Sequence, residues 1–176
     1  MELTSEFSSA WDVYNILPNA DFEKFKQAGI EDIYAQLLHN RGITTAEAMH
    51  NFLEARYDLT PDPLTLIDMP KAVERIVRAL TQREHITVYG DYDADGVTSS
   101  ALLFRALRTL KHPEAPLDFH IPSRLNDGCG LNFKAIEQLK ERGTSLIITT
   151  DCASSDVEQV ARACELAIDV IITDHH

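Results

Sequence analysis

The stretch His85-Ile86-Thr87-Val88-Tyr89-Gly90-Asp91-Tyr92-Asp93-Ala94-Asp95-Gly96 decides how this chain is read. Its first five residues read as a short, β-branched strand. Its last seven are a turn dense in glycine and aspartate, and a helical pattern follows over 97–110. Working outward, the same grammar repeats. Ala72, Val73, Ile76, Val77 and Leu80 fall at helical spacing within 71–82. Residues 117–121, 146–150 and 169–173 read as further strands. Residues 132–142 form a helix with Asn132 as its cap, and Ser155-x-x-Glu158 opens another that runs to about Leu166. Strands alternating with helices of this length predict an α/β fold: a mainly parallel sheet with helices on both faces. That domain is expected over 67–176. Residues 1–66 read as a mostly helical amino-terminal segment, in which Thr44-x-x-Glu47 opens a helix.

In an open α/β sheet, ligands bind beyond the carboxyl ends of the strands. The four strand ends run into Gly90-Asp91-Tyr92-Asp93-Ala94-Asp95-Gly96, Pro122-Ser123-Arg124-Leu125-Asn126-Asp127-Gly128, Asp151, and Asp174-His175-His176. Any one of these aspartates also fits a helix cap or turn. Together they place Asp91, Asp93, Asp95, Asp151, Asp174 and His175 along one sheet edge. Three carboxylates at alternate positions repel one another unless something positive lies among them. An EF-hand would need Glu at the twelfth loop position, which is Leu102, so that reading is set aside. Oxygen ligands with an imidazole suit Mn²⁺ or Mg²⁺, and Zn²⁺ less well, since no cysteine motif is present. Two such cations would activate water and clamp a phosphate oxygen. Helix N-termini near Thr98, Asn132 and Ser155 would add partial positive charge.

Composition sharpens this. The chain has 176 residues, with 16 Lys and Arg against 28 Asp and Glu, a formal net charge of −12. A broad basic surface for nucleic acid or anionic membrane is therefore not expected. Cations gathered by carboxylates can still meet a phosphate. Three cysteines without a CxxC pair, no leader pattern and no apolar run long enough to span a bilayer point to the cytoplasm and away from membranes. Cys129, Cys152 and Cys164 read as packing residues, as does Trp11.

These motifs carry a family resemblance. Asp91-Tyr92-Asp93-Ala94-Asp95-Gly96-Val97-Thr98-Ser99 resembles the first motif of the DHH phosphoesterases, in their RecJ form. The segment Ile121-Pro122-Ser123-Arg124-Leu125-Asn126-Asp127-Gly128-Cys129-Gly130-Leu131 resembles the RecJ segment "IPxRxxDGYGL". Thr150-Asp151-Cys152 is similar to the second acidic motif, and Asp174-His175-His176 to the one that names the family. Leu37-Leu38-His39-Asn40-Arg41-Gly42-Ile43 and Trp11 resemble the RecJ amino-terminal region. The resemblance implies a 5′→3′ exonuclease acting on single-stranded DNA with a 5′ end, in repair and recombination, with two divalent cations, Mn²⁺ or Mg²⁺. It implies Asp93, Asp95, Asp151 and His175 as metal ligands, with Asp151 bridging. Asp91 and Asp174 would support or orient them, and His176 would contact the scissile phosphate. Arg124 would meet phosphate or strand, with Asp127 and Gly128 shaping its loop. Association with a single-strand-binding protein also follows at family level.

Three departures stand out. Tyr89 occupies a position where some members have His, so no ligand is expected there. Ala153 replaces a glycine, and a positive φ there would strain it by about 1 kcal/mol or more. Cys129 replaces a tyrosine and removes an aromatic face. The resemblance also implies a further Asp ligand and a second domain beyond His176. The chain is thus expected to be an amino-terminal part that alone binds Mn²⁺ weakly and hydrolyses little. Two other readings are another DHH phosphoesterase, acting on short oligoribonucleotides, cyclic dinucleotides or pyrophosphate, and a catalytically inactive remnant.

Overall fold

The computed structural model describes residues 13–54 and 60–176. Trp11 lies outside the described residues. Two compact units divide between Asp62 and Pro63, four residues before the expected boundary.

The first unit holds three nine-residue helices: α1 (Asn19–Gln27), α2 (Asp32–Asn40) and α3 (Ala46–Glu54). Their buried positions, Phe25, Ala35, Leu38 and Met49, close on Leu17 and Ile30. The helix expected to open at Thr44 begins later. Ala48 N–H donates to Thr45 Oγ1 at 3.2 Å, so the second threonine is the cap.

In the second unit a 3₁₀ turn (Pro63–Thr65) precedes α4 (Met69–Gln82). Then follow β1 (Ile86–Gly90), α5 (Ala94–Leu110), β2 (Leu117–His120), α6 (Phe133–Glu141), β3 (Leu146–Thr150), α7 (Val157–Glu165) and β4 (Asp169–Thr173). All pairings are parallel, in the order β2-β1-β3-β4. Alternate strand residues face opposite sides. Ile86, Val88, Leu146 and Ile148 pack with Ala79 of α4 and Leu107 of α5. Tyr89 and Ile147 pack with Ile136 and Leu139 of α6 and Ala163 of α7. Helices therefore cover both faces, as the alternation predicts. β1 and β3 are buried throughout, whereas β2 and β4 form the edges. From β1 the chain crosses to β2 on one side and then returns to β3 on the other. The switch point of the sheet therefore lies between β1 and β3.

Candidate metal centre

Register builds the site. Gly90, Thr150 and Thr173 pair across the last row of the sheet, so the next residues, Asp91, Asp151 and Asp174, leave adjacent strands side by side. Two glycines let α5 start hard against the end of β1. A Cβ on Gly90 would lie 2.0 Å from Ser100 Oγ, and one on Gly96 would lie 2.4 Å from the Asp91 carbonyl oxygen. This close approach moves the start of α5 to Ala94, three residues before the expected one. Asp93 becomes its N-cap, accepting from Gly96 N–H at 3.0 Å. Asp95 consequently lies in the first helical turn, so the three alternate aspartates do not form one open loop.

After β3 the backbone turns sharply. Asp151 has φ 62° and Ala153 φ 86°. Position 153 therefore has positive φ, and the strain expected for its alanine from the sequence is present. Left-handed backbone costs alanine about 1–2 kcal/mol. Its methyl group, on a residue 6% exposed, returns about 0.8 kcal/mol on burial. Glycine would lose about 0.5–1 kcal/mol more backbone freedom on folding. These terms nearly cancel, so Ala153→Gly is expected to change unfolding free energy by less than about 1 kcal/mol in a urea titration. A loss of several kcal/mol would contradict this backbone geometry.

Asp151 is the centre of the cluster. It is 6% exposed, and its Oδ1 lies 2.8 Å from His175 Nε2 and 4.0 Å from His176 Nδ1. Ligand atoms of Asp151, His175 and His176 all lie within 4.8 Å of one another. Asp93 stands close enough to Asp151 and His176 to interact with both. The Gly96 N–H, with that of Asp95 and the charge of His176, holds the pKa of the exposed Asp93 down. Asp95, Asp151, Asp174 and His175 line one cleft of about 490 Å³, with Leu102 on its wall.

Asp174 is committed to support. Its Oδ2 accepts from Ser154 N–H at 3.1 Å. Its Oδ1 accepts from the His175 and His176 N–H groups at 2.7 and 3.2 Å, and from His176 Nδ1 at 2.7 Å. Burial alone would raise its pKa, but the hydrogen bonds from Ser154 and His176 outweigh it and hold the carboxyl far below the usual range. The same Asp174 bond raises the His176 pKa and fixes the ring with Nδ1 as the donor.

Asp91 sits deeper. It is 7% exposed, and its Oδ1 is buried with no hydrogen-bond partner. A buried carboxylate oxygen left alone is costly, and a cation would satisfy it. With carboxylates and imidazole as the donors, the cluster fits a hard divalent ion such as Mn²⁺ or Mg²⁺. Thiols do not compete: burial pushes Cys152 up to about 12, and burial with the Asp91 charge raises Cys129.

The third candidate group, after β2, lies on a compact turn. Asp127 Oδ2 accepts from Ser123 N–H at 2.9 Å, and Asp127 N–H donates back to Ser123 O at 2.9 Å. Asp127 thus builds the turn, and Gly128 leaves it at φ 77°. Arg124 projects at its apex over the Tyr92 ring, 5.5 Å from the centroid. Of the expected helix caps, Asn132 accepts from Ala135 N–H at 2.8 Å. Ser155 does not cap α7. Asp156 holds the cap position, but its side chain instead accepts from Leu131 N–H at 2.7 Å. Two contributors escaped the sequence reading: the Ser154 N–H and the Tyr92 ring. Neither has a local signal, since each acts on a residue at least 20 positions away.

With this geometry in place, the comparisons with known proteins are direct. The family model described as "DHH family, N-terminal domain" matches residues 85–176. The single-stranded-DNA-specific exonuclease RecJ of Bacillus subtilis (strain 168) is 45% identical over 151 residues, covering 86% of this chain and 19% of that protein. RecJ of Escherichia coli (strain K12) is 34% identical over 149 residues, covering 85% of this chain and 25% of its own length. The chain thus spans about a fifth to a quarter of these curated relatives. Among solved structures, exonuclease RecJ bound to manganese is 34% identical at a TM-score of 0.59, covering 66% of this chain and 29% of that one. RecJ in complex with Mn²⁺ from Thermus thermophilus is 26% identical at a TM-score of 0.60, covering 94% and 22%.

Proposed function

This chain belongs to the DHH family, and from that membership we propose that it forms the metal-binding part of a RecJ-type exonuclease acting 5′→3′ on single-stranded DNA. The observation that carries the proposal is the row Asp91, Asp151 and Asp174, with the buried Asp151 carboxylate facing both histidines. Asp93, Asp95, Asp151 and His175 would hold two divalent cations, Mn²⁺ or Mg²⁺. The manganese carried by the two solved relatives supports that identity. Such cations supply Lewis-acid activation of water and of the phosphodiester.

The chain's own residues do the rest. Asp91 backs the cluster from the strand end. Asp174 accepts the hydrogen bond from His176 Nδ1–H and so leaves Nε2 to meet a phosphate oxygen. The raised pKa of His176 favours its protonated, donating form. Arg124 meets the strand, on a loop that Asp127 and Gly128 shape. We place the protein in the cytoplasm, in DNA repair and recombination, with a single-strand-binding protein as partner. No described helix is long and apolar enough to cross a membrane.

Competition binding in Mn²⁺ separates this from the other DHH activities. A single-stranded DNA oligonucleotide is expected to outcompete di-ribonucleotides, cyclic dinucleotides and pyrophosphate. Preference for any of those three would move the substrate class. A remnant whose metal site had decayed would show no Mn²⁺ dependence of binding at all.

A further inference from the structure

We infer that Tyr92 is a positioning residue for the DNA contact: its ring holds the Arg124 guanidinium free of the carboxylates, ready for a backbone phosphate. The inference rests on the proposed reading of Arg124 as a strand contact, and deepens it.

The Arg124 guanidinium lies 5.5 Å from the Tyr92 centroid, within the roughly 6 Å over which a cation is drawn to an aromatic face. Tyr92 stands between Asp91 and Asp93, so this ring brings the guanidinium to the edge of the acidic cluster. The turn that carries Arg124 is closed by Asp127 and Ser123, but its apex is not packed down: Leu125 is 92% exposed. Among the described residues Arg124 makes no ion pair.

A mobile arginine beside so many aspartates would be drawn into them. It would then occupy a carboxylate that the cations need and arrive at the DNA already neutralised. An aromatic face holds the charge through its quadrupole and uses no carboxylate. It also orients the planar guanidinium, whose donors then face outward to phosphate oxygens.

The test is single-stranded DNA binding by the purified chain in Mn²⁺, followed by fluorescence anisotropy across a salt series. Each phosphate contact contributes about 0.7 to the slope of log K against log salt on single strands. Arg124→Ala is expected to weaken binding about tenfold and to reduce the slope by about 0.7. Tyr92→Leu is expected to do the same, and Tyr92→Phe, which keeps the ring, to do neither. In the Arg124→Ala background Tyr92→Leu should add nothing. That double variant also guards against a folding effect, because a merely structural loss would weaken binding with or without Arg124. An unchanged slope in Tyr92→Leu, beside a reduced one in Arg124→Ala, overturns the positioning role and leaves the contact standing. No change in Arg124→Ala overturns both. Equal losses from Tyr92→Leu in the two backgrounds also overturn it.

Discussion

Replacing Asp151 with asparagine is expected to lower Mn²⁺ affinity by about a hundredfold or more, the largest effect of any single change in this chain. Loss of a residue that only orients a ligand typically costs about 10–100-fold, and Asp151 is proposed as a ligand itself. Asparagine is the right probe because Asp151 has φ 62°, a backbone region that asparagine adopts at less cost than alanine. The variant should fold. Without metal, the neighbouring Asp93 carboxyl is a liability to Asp151, and neutralising one of the pair removes repulsion. Thermal unfolding separates the two effects. Wild-type protein should gain about 2.7 kcal/mol at a Mn²⁺ concentration 100 times its dissociation constant. The variant should melt near the wild-type temperature without Mn²⁺ and gain almost nothing with it. A variant that keeps the Mn²⁺-dependent gain would remove Asp151 from the ligand set.

The second large effect is on stability alone. Arg75 of α4 joins three distant parts of the second unit. Its Nη2 donates to Glu84 Oε2 at 2.6 Å, its Nε donates to Asp169 Oδ2 at the start of β4, and Nη2 approaches Ser145 O at 3.5 Å. The side chain is only 13% exposed. Breaking a buried ion pair from one side costs about 3–5 kcal/mol. Here Asp169 is 56% exposed and Glu84 18%, so solvent recovers part of that. Arg75→Met is therefore expected to destabilise the protein by about 2–3 kcal/mol in a urea titration at pH 7. The loss should depend on pH. Burial would raise the Glu84 pKa, but hydrogen bonds from Arg75 and Ser145 and the Arg75 charge bring it below its ordinary value. A depressed carboxyl stabilises the fold above its unfolded pKa, about 4.3. That contribution fades as pH falls through the lower, folded value. Wild type and Arg75→Met should therefore converge in acid. Equal stability at pH 7 would contradict the clamp.

The parts of this molecule written in short-range pattern were legible in its sequence. The β-branched run ending at Gly90 and the apolar period of α4 gave strands and helices within about three residues, because burial of alternate or every third-to-fourth side chain drives both. The strand-end rule alone brings Asp91, Asp151 and Asp174 together. What escaped was competition between adjacent polar groups. Thr45 takes the cap from Thr44, Asp93 captures Gly96 and starts α5 early, and Asp156 is diverted to Leu131 from across the domain. The first two are settled by which of several neighbouring polar groups meets the helix N–H, and the third by a tertiary contact. Arg75 and Asp169 are 94 positions apart, and Arg124 reaches back 32 to Tyr92, so neither pairing leaves a periodic trace. The orphaned Asp91 oxygen is likewise a property of packing alone.

Anomalous scattering from crystals grown in Mn²⁺ tests the central claim most directly. The account predicts a manganese peak within about 2.5 Å of an Asp151 carboxylate oxygen and of a His175 ring nitrogen. Full Mn²⁺ occupancy elsewhere, or no peak at this strand edge at saturating Mn²⁺, would contradict it.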